Sequence, residues 1–216
     1  RKTVFGAHSV AISGVSKAQR SALVHLLGND VTMFENIRQD LRRSYYRKVS
    51  LWRLPIRFIS YHGFRAVAMY RMARWCHRTG IPVLPAFIMW LNEWKHGCHL
   101  HYKADVGPGL TLPHPFGVSI GRHTKIGRNA QFFQGSGIGP AKKQSPTVGT
   151  DFTAHAGAQV VGGITLGDRV TVGANCTVIF DIESDSTVAP GKTLIFKNKS
   201  DHNKQQDSQA ETKSDE

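Results

Sequence analysis

The stretch that decides the fold is residues 148–194, which read VGTDFTAHAGAQVVGGITLGDRVTVGANCTVIFDIESDSTVAPGKTL. Aliphatic residues return there at every sixth position, and a glycine often follows them, as in Leu166-Gly167 and Val172-Gly173. The in-phase positions are Val148, Ala154, Val160, Leu166, Val172 and Val178. A period of six fits neither the turn of an α-helix nor the alternation of a single strand. It is the signature of a parallel β-helix built from hexapeptide repeats.

Each six-residue unit of such a β-helix forms one short strand and one corner, so one aliphatic side chain per unit points inward. A small or polar residue after it suits the tight corner, as Gly167 and Asp168 do after Leu166. Because a unit buries its apolar residue only against neighbouring coils, several units must stack before the fold is stable. A Val- and Ile-rich β-sandwich is the alternative, but six consecutive in-phase repeats favour the β-helix.

The same phase begins near Val106 and contains two interruptions. Two additional residues separate Leu112 from Ile120, and residues 140–146 push a loop out of the solenoid before Val148 resumes the repeat. The inward positions of these earlier coils are Val106, Leu112, Ile120, Ile126, Phe132 and Ile138. Interruptions in repeat proteins concentrate where ligands bind, so both loops are candidate site elements.

The part of the chain before the β-helix has a helical pattern. Apolar residues spaced three and four apart run through residues 34–94, and Gly80, Pro82 and Pro85 interrupt the pattern before a further short helix. Residues 81–91 form the most hydrophobic run in the chain. This run is too short, and contains too many prolines, to span a bilayer as a helix, so we expect a docked or interfacial helix.

We therefore expect an α+β chain with four parts. They are an extension of uncertain role at residues 1–32, a helical domain at 33–95, the β-helix at 96–196 and a polar tail at 197–216. The first part has no repeat and no secretion signal with a convincing cleavage site, and Met33 is a more natural start. The tail lacks aromatic residues after Phe196 and is expected to be disordered.

Charge and cysteine content limit the classes of partner. The net charge is +13, and from Arg38 to Arg78 eleven Arg and Lys accompany the single acid Asp40. Such a block suits anionic lipid, nucleic acid or a phosphorylated ligand, and a solvated helix face is the plain alternative. Nucleic-acid binding has no motif in its support. The three cysteines lack metal-ligand spacing and suit a reducing compartment, with Cys176 at an inward repeat position.

Several further motifs occur in the order and at the spacing of a known family. They are YHGFRA from Tyr61, YRMARW from Tyr70, residues 97–101, GLTLPHPFGVSIG from Gly109, Gln134-Gly135 and Ala156-Gly157-Ala158. Together they resemble the serine acetyltransferases of the hexapeptide-repeat acyltransferase superfamily, over roughly residues 34–195. The resemblance implies an N-terminal helical segment followed by a left-handed parallel β-helix with one extruded loop. It also implies an acetyl-CoA-dependent O-acetyltransferase that forms a homotrimer, with active sites between adjacent β-helices. We expect no metal, and the cysteine content favours a cytoplasmic location.

The resemblance places His114 at the position of the family's catalytic histidine. As general base, an imidazole there would take the proton of the acceptor hydroxyl and return it to the departing sulfur of CoA. Imidazole suits this role because its unperturbed pKa lies close to neutral pH. Backbone N–H groups between Gln134 and Gly139 are the expected donors to the oxyanion. Outside this motif, His114 would be interpreted as a loop residue stiffened by Pro113 and Pro115.

For acetyl-CoA, the resemblance places the pantetheine arm along one edge of the β-helix. Close approach of the backbone is expected at Gly137, Gly139, Ala156 and Gly157. The phosphates are expected to contact Lys142, Lys143 and Lys192. An ordinary surface charge is the alternative for each lysine.

The sequence departs from the family pattern on the acceptor side. Pro113 replaces an acid that helps to recognise serine, His99 replaces the acid that orients the imidazole, and Ser145 aligns with a second histidine. We expect His99, Arg122 and Ser145 to contact the acceptor. An amino acid needs charged partners for its ammonium and carboxylate. The alternative to L-serine and cysteine biosynthesis is therefore a sugar hydroxyl in exopolysaccharide biosynthesis, with the enzyme peripheral at the inner membrane.

Two other classes remain as alternatives. Some β-helical trimers bind zinc between subunits through three histidines and hydrate carbon dioxide, and this chain has 11 His. The only pair at the relevant spacing, His96 and His101, precedes the solenoid. A non-catalytic scaffold whose basic block binds a partner is the second alternative, and loss of cofactor binding would favour it.

Overall fold

The structure, a computed structural model, describes residues 33–44 and 61–191. The predicted extension, the predicted tail and Lys192 lie outside these residues. Helix α1 comprises residues 33–44, α2 is His62–Arg78 and α3 is Leu84–His96. The strands that follow in the described part are β1 His99–Leu100, β2 Asp105–Val106, β3 Ser119–Ile120, β4 Lys125–Ile126, β5 Gln131–Phe132, β6 Gly137–Gly139, β7 Thr147–Val148, β8 Thr153–Ala154, β9 Gln159–Val161, β10 Thr165–Leu166, β11 Thr171–Val172, β12 Thr177–Val178 and β13 Thr187–Val188.

The strands form three parallel sheets that make the three sides of a solenoid. Face A contains β1, β3, β6, β9 and β12, face B contains β2, β4, β7 and β10, and face C contains β5, β8, β11 and β13. The chain visits A, B and C in turn, so Val148 lies beside Leu166, eighteen residues later. This topology follows from the six-residue period, because three units complete one coil.

The inward positions of the repeat form a continuous apolar core. On face A, Leu100, Ile120, Ile138, Val160 and Val178 stack in adjacent coils and are almost completely buried. A second buried set lies two residues earlier in each unit and includes Val118, Ala158 and Cys176. The predicted hexapeptide repeat and the predicted core position of Cys176 are thereby confirmed. The solenoid begins one strand before Val106, at β1.

Both interruptions of the repeat form loops at corners next to face A. The first is the turn at residues 113–117, which lies between the face C side and β3. The second, at residues 140–146, lies between β6 and β7 and contains a small hairpin in which the backbones of Ala141 and Gln144 exchange hydrogen bonds of 3.0 and 2.9 Å. The two residues at its tip, Lys142 and Lys143, have φ of 48° and 64°. The first loop carries His114 and the second carries the lysine pair.

Helices α2 and α3 pack on each other and on the first coil. The α3 face that contacts α2 carries the buried residues Pro85, Ile88, Asn92 and His96. Pro85 suits the first turn of a helix, and Gly97, with φ 61°, ends α3 in the left-handed conformation. The predicted short helix is present and slightly longer than expected. None of the described helices combines the length and apolar character needed to cross a bilayer.

A buried ion pair joins α1, α2 and the β-helix. Arg71 donates from Nε to Asp40 at 2.8 Å, and the same carboxylate accepts the backbone N–H groups of Gly109 and Leu110 at 2.7 and 2.8 Å. Arg71 also donates to the carbonyl of Gly107 at 2.7 Å. Burial opposes the charge of Arg71, but the Asp40 carboxylate outweighs it, and the pKa of Arg71 is raised. The pair therefore fixes the helices on the first coil.

Candidate active site

His114 lies at the tip of the first loop and is exposed. The base of the loop is tied to the coil below by the Gly135 N–H, which donates to the Phe116 carbonyl at 2.9 Å, and to α3 by the Gly117 N–H, which donates to the Gly97 carbonyl at 2.7 Å. Within the described parts of the chain, no residue hydrogen-bonds the His114 ring. The imidazole is thus presented to solvent from a fixed turn, with both ring nitrogens accessible.

The backbone below this turn is largely engaged in the coil. The N–H groups of Gly135, Ser136 and Gly137 donate to the carbonyls of Phe116, Phe133 and Ala158. Over residues 61–191 no backbone acceptor lies within reach of the Gln134 N–H. Of the predicted oxyanion donors, Gln134 is therefore the one that is available next to the His114 turn.

The three residues expected on the acceptor side come together around His101. Its Nε2 lies 3.5 Å from Arg122 Nε, and its ring centroid lies 5.9 Å from that of His99. Ser145 Oγ donates to the Arg122 carbonyl at 3.0 Å, and His99 Nδ1 lies 2.6 Å from Glu93 Oε1. These five residues, Glu93, His99, His101, Arg122 and Ser145, are called the acceptor cluster below.

The sequence analysis missed two members of this cluster. Glu93 lies on α3, outside every motif of the family resemblance, whereas His101 ends the marked segment 97–101 but was considered only as a metal ligand. One signal was present: Glu93 is the first acidic residue after Asp40. An acid that follows a long basic stretch, just before the first strand, is a candidate for a specific role.

His101 is held neutral by its surroundings. Burial of the ring, and then the positive charge of Arg122, lower the pKa of His101 to about 4. Its Nδ1 accepts the backbone N–H of Lys103 at 3.0 Å. A neutral imidazole has one donor, so Nε2 carries the proton, and its 3.5 Å contact with Arg122 is a contact between two donors. The cluster thus offers adjacent N–H donors from His101 and Arg122.

A second buried histidine lies near the site. His96 is 1% exposed and packs edge-on against His62, with ring centroids 6.1 Å apart. Neither ring nitrogen of His96 has a hydrogen-bond partner among the described residues. Burial, and then the charge of Arg65, lower the pKa of His96 to about 4. This buried position does not suit a zinc ligand between subunits, and the described residues contain no group of three metal-binding side chains.

The low pKa values of His96 and His101 predict acid sensitivity of the fold. In the unfolded chain both imidazoles should titrate near pH 6.5. Between about pH 6.5 and 4 the unfolded state therefore binds more protons than the folded state, and the equilibrium shifts towards unfolding as the pH falls. The contribution of the two neutral histidines to the free energy of unfolding is therefore fully present above about pH 6.5. It is lost as the pH drops towards 4, by about 3 kcal/mol for each histidine. Urea unfolding measured at a series of pH values checks this expectation.

Two variants separate these histidines from other acid effects. His96→Leu should lose about half of the pH dependence that the two buried histidines cause, since an apolar side chain suits a site without hydrogen-bond partners. His155→Asn, at an exposed corner position, should keep the dependence of the original protein. An unchanged pH dependence in His96→Leu would contradict the assignment.

The residues expected to contact acetyl-CoA differ in their surroundings. A Cβ atom on Gly139 would meet open space, whereas one on Gly137 would meet the Gln159 side chain. Gly157 has φ 70°, and a Cβ atom there would meet Asn175. Contacts between neighbouring coils thus account for Gly137 and Gly157, whereas the space beside Gly139 is open to solvent. Ala156 is half-buried beside Gly157, and both hairpin lysines, 142 and 143, are exposed.

A single chain places His114 at a different corner from Arg122 and Ser145. The His114 turn lies at the corner between faces C and A, while Arg122, Ser145 and the lysine hairpin lie at the corner between faces A and B. Face A separates these corners by roughly 15–20 Å, the length of one six-residue side at about 3.3 Å per residue. Each corner therefore carries part of the expected chemistry.

Comparisons with known proteins identify the family. No protein-family model matches the chain. A serine acetyltransferase of Synechococcus elongatus is 31% identical over 188 residues, which cover 82% of this chain and 77% of the relative. One from Helicobacter pylori is 35% identical over 136 residues, 61% of this chain and 80% of the relative.

Solved structures agree with these relatives. The crystal structure of serine acetyltransferase isoform 3 of Entamoeba histolytica in complex with cysteine has a TM-score of 0.72 and 26% identity to this chain. The match covers 87% of this chain and 69% of that one. The expected fold class, helices followed by a left-handed β-helix, is thereby confirmed, and the protein is an acyltransferase. The chain belongs to the serine acetyltransferase family within the hexapeptide-repeat acyltransferase superfamily.

Proposed function

We propose that this protein transfers the acetyl group of acetyl-CoA to the hydroxyl of L-serine, a step of cysteine biosynthesis. The observation that carries the proposal is the charge content of the acceptor cluster, which contains one carboxylate, Glu93, and one guanidinium, Arg122. A zwitterionic amino acid requires this combination, because its ammonium pairs with a carboxylate and its carboxylate with a guanidinium. The names of the similar proteins support the same acceptor.

Glu93 supplies an acid near the site, whereas the family pattern expects acids at the positions of Pro113 and His99. One of its carboxylate oxygens contacts His99, and the second is free to accept from the ammonium of serine. The carboxylate of serine would accept from the Arg122 guanidinium and from the Nε2–H of His101. Recognition of serine thus moves from the positions of Pro113 and His99 to an acid on α3.

The chemical step uses the exposed imidazole of His114. It takes the proton of the serine hydroxyl while that oxygen forms a bond to the thioester carbonyl carbon. The tetrahedral oxyanion accepts a hydrogen bond from the Gln134 N–H. When the C–S bond breaks, the imidazolium returns the proton to the sulfur, and O-acetylserine and CoA leave.

The second loop is suited to the phosphates of acetyl-CoA. Lys142 and Lys143 both have positive φ at the tip of the hairpin, a conformation that costs non-glycine residues on the order of 1 kcal/mol or more each. The tight turn holds both ammonium groups outward, beside the open surface at Gly139. Clustered cations on a fixed loop suit an anionic ligand.

We also propose that the active site forms between copies of the chain in a homotrimer. His114 and Arg122 lie on different corners of one solenoid, so we infer that the His114 corner of one copy meets the Arg122 corner of its neighbour. Three copies around a threefold axis close this arrangement with equivalent contacts. Light scattering should show a trimer, and a stable, fully active monomer would contradict the proposal.

The acceptor is tested by release of the CoA thiol with purified protein, acetyl-CoA and a panel of L-serine, homoserine and nucleotide- or lipid-linked sugars. We expect turnover with L-serine. Replacing Glu93 by Gln should raise KM for serine about 10–100-fold while kcat changes little, because a charge-assisted contact to the ground-state ammonium is lost.

Glu183→Gln is the matched control, because Glu183 is exposed on the last coil, and KM should not change. Turnover with sugars alone would reject serine and favour the polysaccharide alternative. Absence of acetyl-CoA binding in calorimetry would instead favour the non-catalytic scaffold.

A further inference from the structure

Helix α3 carries an exposed aromatic stripe on the side opposite its buried face. Phe87, Trp90 and Trp94 recur at spacings of three and four residues, so they lie on one side of the helix. All three are more than half exposed, and Trp94 reaches 76%. The rings of Phe87 and Trp90 lie 5.8 Å apart and form one continuous apolar surface.

The turn before α3 extends this surface. Val83 is 80% exposed and has φ 64°, which is a strained conformation for a β-branched residue. The strain holds an apolar side chain outward, next to the exposed Leu84. Val83, Leu84, Phe87, Trp90 and Trp94 are called the aromatic stripe below. Strain retained at an exposed apolar position points to a contact made outside the chain.

The charge around the stripe identifies the kind of partner. Between Asp40 and Glu93 the sequence contains ten Arg or Lys and no acid, and of these Arg71 and Arg74 pair with Asp40 and Asp105. Arg78 at the end of α2 and Lys95 beside the stripe are exposed, and no carboxylate of the described residues pairs with either. Tryptophan side chains with adjacent basic residues suit the headgroup region of an anionic bilayer.

We propose that the aromatic stripe docks the protein on an anionic membrane surface, with α3 lying in the headgroup region. Docking two like-charged copies through this face would bring their basic residues together, which is unfavourable, whereas an anionic surface attracts them. This inference is independent of the proposed acceptor, because none of the stripe residues belongs to the acceptor cluster or to the His114 turn.

The test is binding of the full chain to vesicles, followed by sedimentation and by tryptophan fluorescence. Vesicles of phosphatidylcholine with about one third phosphatidylglycerol should bind the protein and shift its emission to the blue, and high salt should weaken binding. The Trp90→Ser/Trp94→Ser variant should bind about a hundredfold more weakly, roughly tenfold for each aromatic side chain removed. Its CoA thiol release in the absence of vesicles should equal that of the original protein.

Ile179→Ser/Phe180→Ser is the matched control, since it removes two similarly exposed apolar side chains at the other end of the β-helix. This variant should bind vesicles like the original protein. The proposal is overturned if the original protein does not bind anionic vesicles, or if the double tryptophan variant binds as well as the control. It is also overturned if the tryptophan variant changes the oligomeric state without lipid, which would assign the stripe to contacts between copies.

Discussion

Replacing His114 by alanine should lower kcat for serine acetylation by about 10²–10⁴, the usual contribution of a general base. KM for serine and for acetyl-CoA should change little, because the imidazole acts on the proton that moves in the transition state. The fold should be unaffected, since His114 is exposed and the described residues make no hydrogen bond to its ring. Steady-state kinetics with thermal unfolding of the same preparation measures both effects.

His123→Asn is the control for this variant, because it also removes an exposed histidine from a corner of the β-helix. Asparagine suits the positive φ of 60° at that position. Its kcat should equal that of the original protein. If His114→Ala kept more than about a tenth of kcat, His114 would not be the general base.

Replacing Asp40 by asparagine should lower the free energy of unfolding by about 3–5 kcal/mol. The cause is the guanidinium of Arg71, which is 3% exposed and would remain buried without its counter-ion. The carboxylate also accepts the N–H groups of Gly109 and Leu110, so the change weakens the attachment of α1 to the first coil. Urea unfolding at pH 7 measures the loss.

A surface ion pair provides the comparison. Arg169 and Asp185 also form a paired contact, with Arg169 Nη2 2.7 Å from Asp185 Oδ2, but both side chains are exposed. Asp185→Asn should therefore leave the unfolding midpoint nearly unchanged. An equal effect of the two substitutions would show that burial of the Asp40–Arg71 pair is not what makes it important.

The fold was predictable because its main signal is one-dimensional. A six-residue period directly gives the coil, the inward position of residues such as Leu166 and Cys176, and the two loops as breaks in the period. The start of the solenoid was less clear, because Leu100 belongs to a coil whose other positions are irregular. Helix α3 was expected from its apolar pattern, and its C-terminal end at Gly97 was not.

The candidate site was only partly predictable, because contacts between coils and helices have no sequence spacing of their own. Arg122 and Ser145 meet because they stand at the same corner of successive coils, 23 residues apart. Glu93 contacts His99 because the chain turns at Gly97, after α3, and brings β1 back beside the end of the helix. No local sequence pattern specifies the angle of this turn. The division of His114 and Arg122 between two corners also appears only when the coil is built.

The central claim, an active site shared between copies of the chain, is tested most directly by serine acetylation in mixed assemblies. His114→Ala and Arg122→Ala chains would be co-expressed with different tags, and assemblies that contain both would be isolated. Each variant alone should be nearly inactive, while each isolated mixed trimer should regain about one third of its sites, the one in which an intact His114 faces an intact Arg122 of the neighbour. Mixed assemblies no more active than the two separate variants would contradict a shared site.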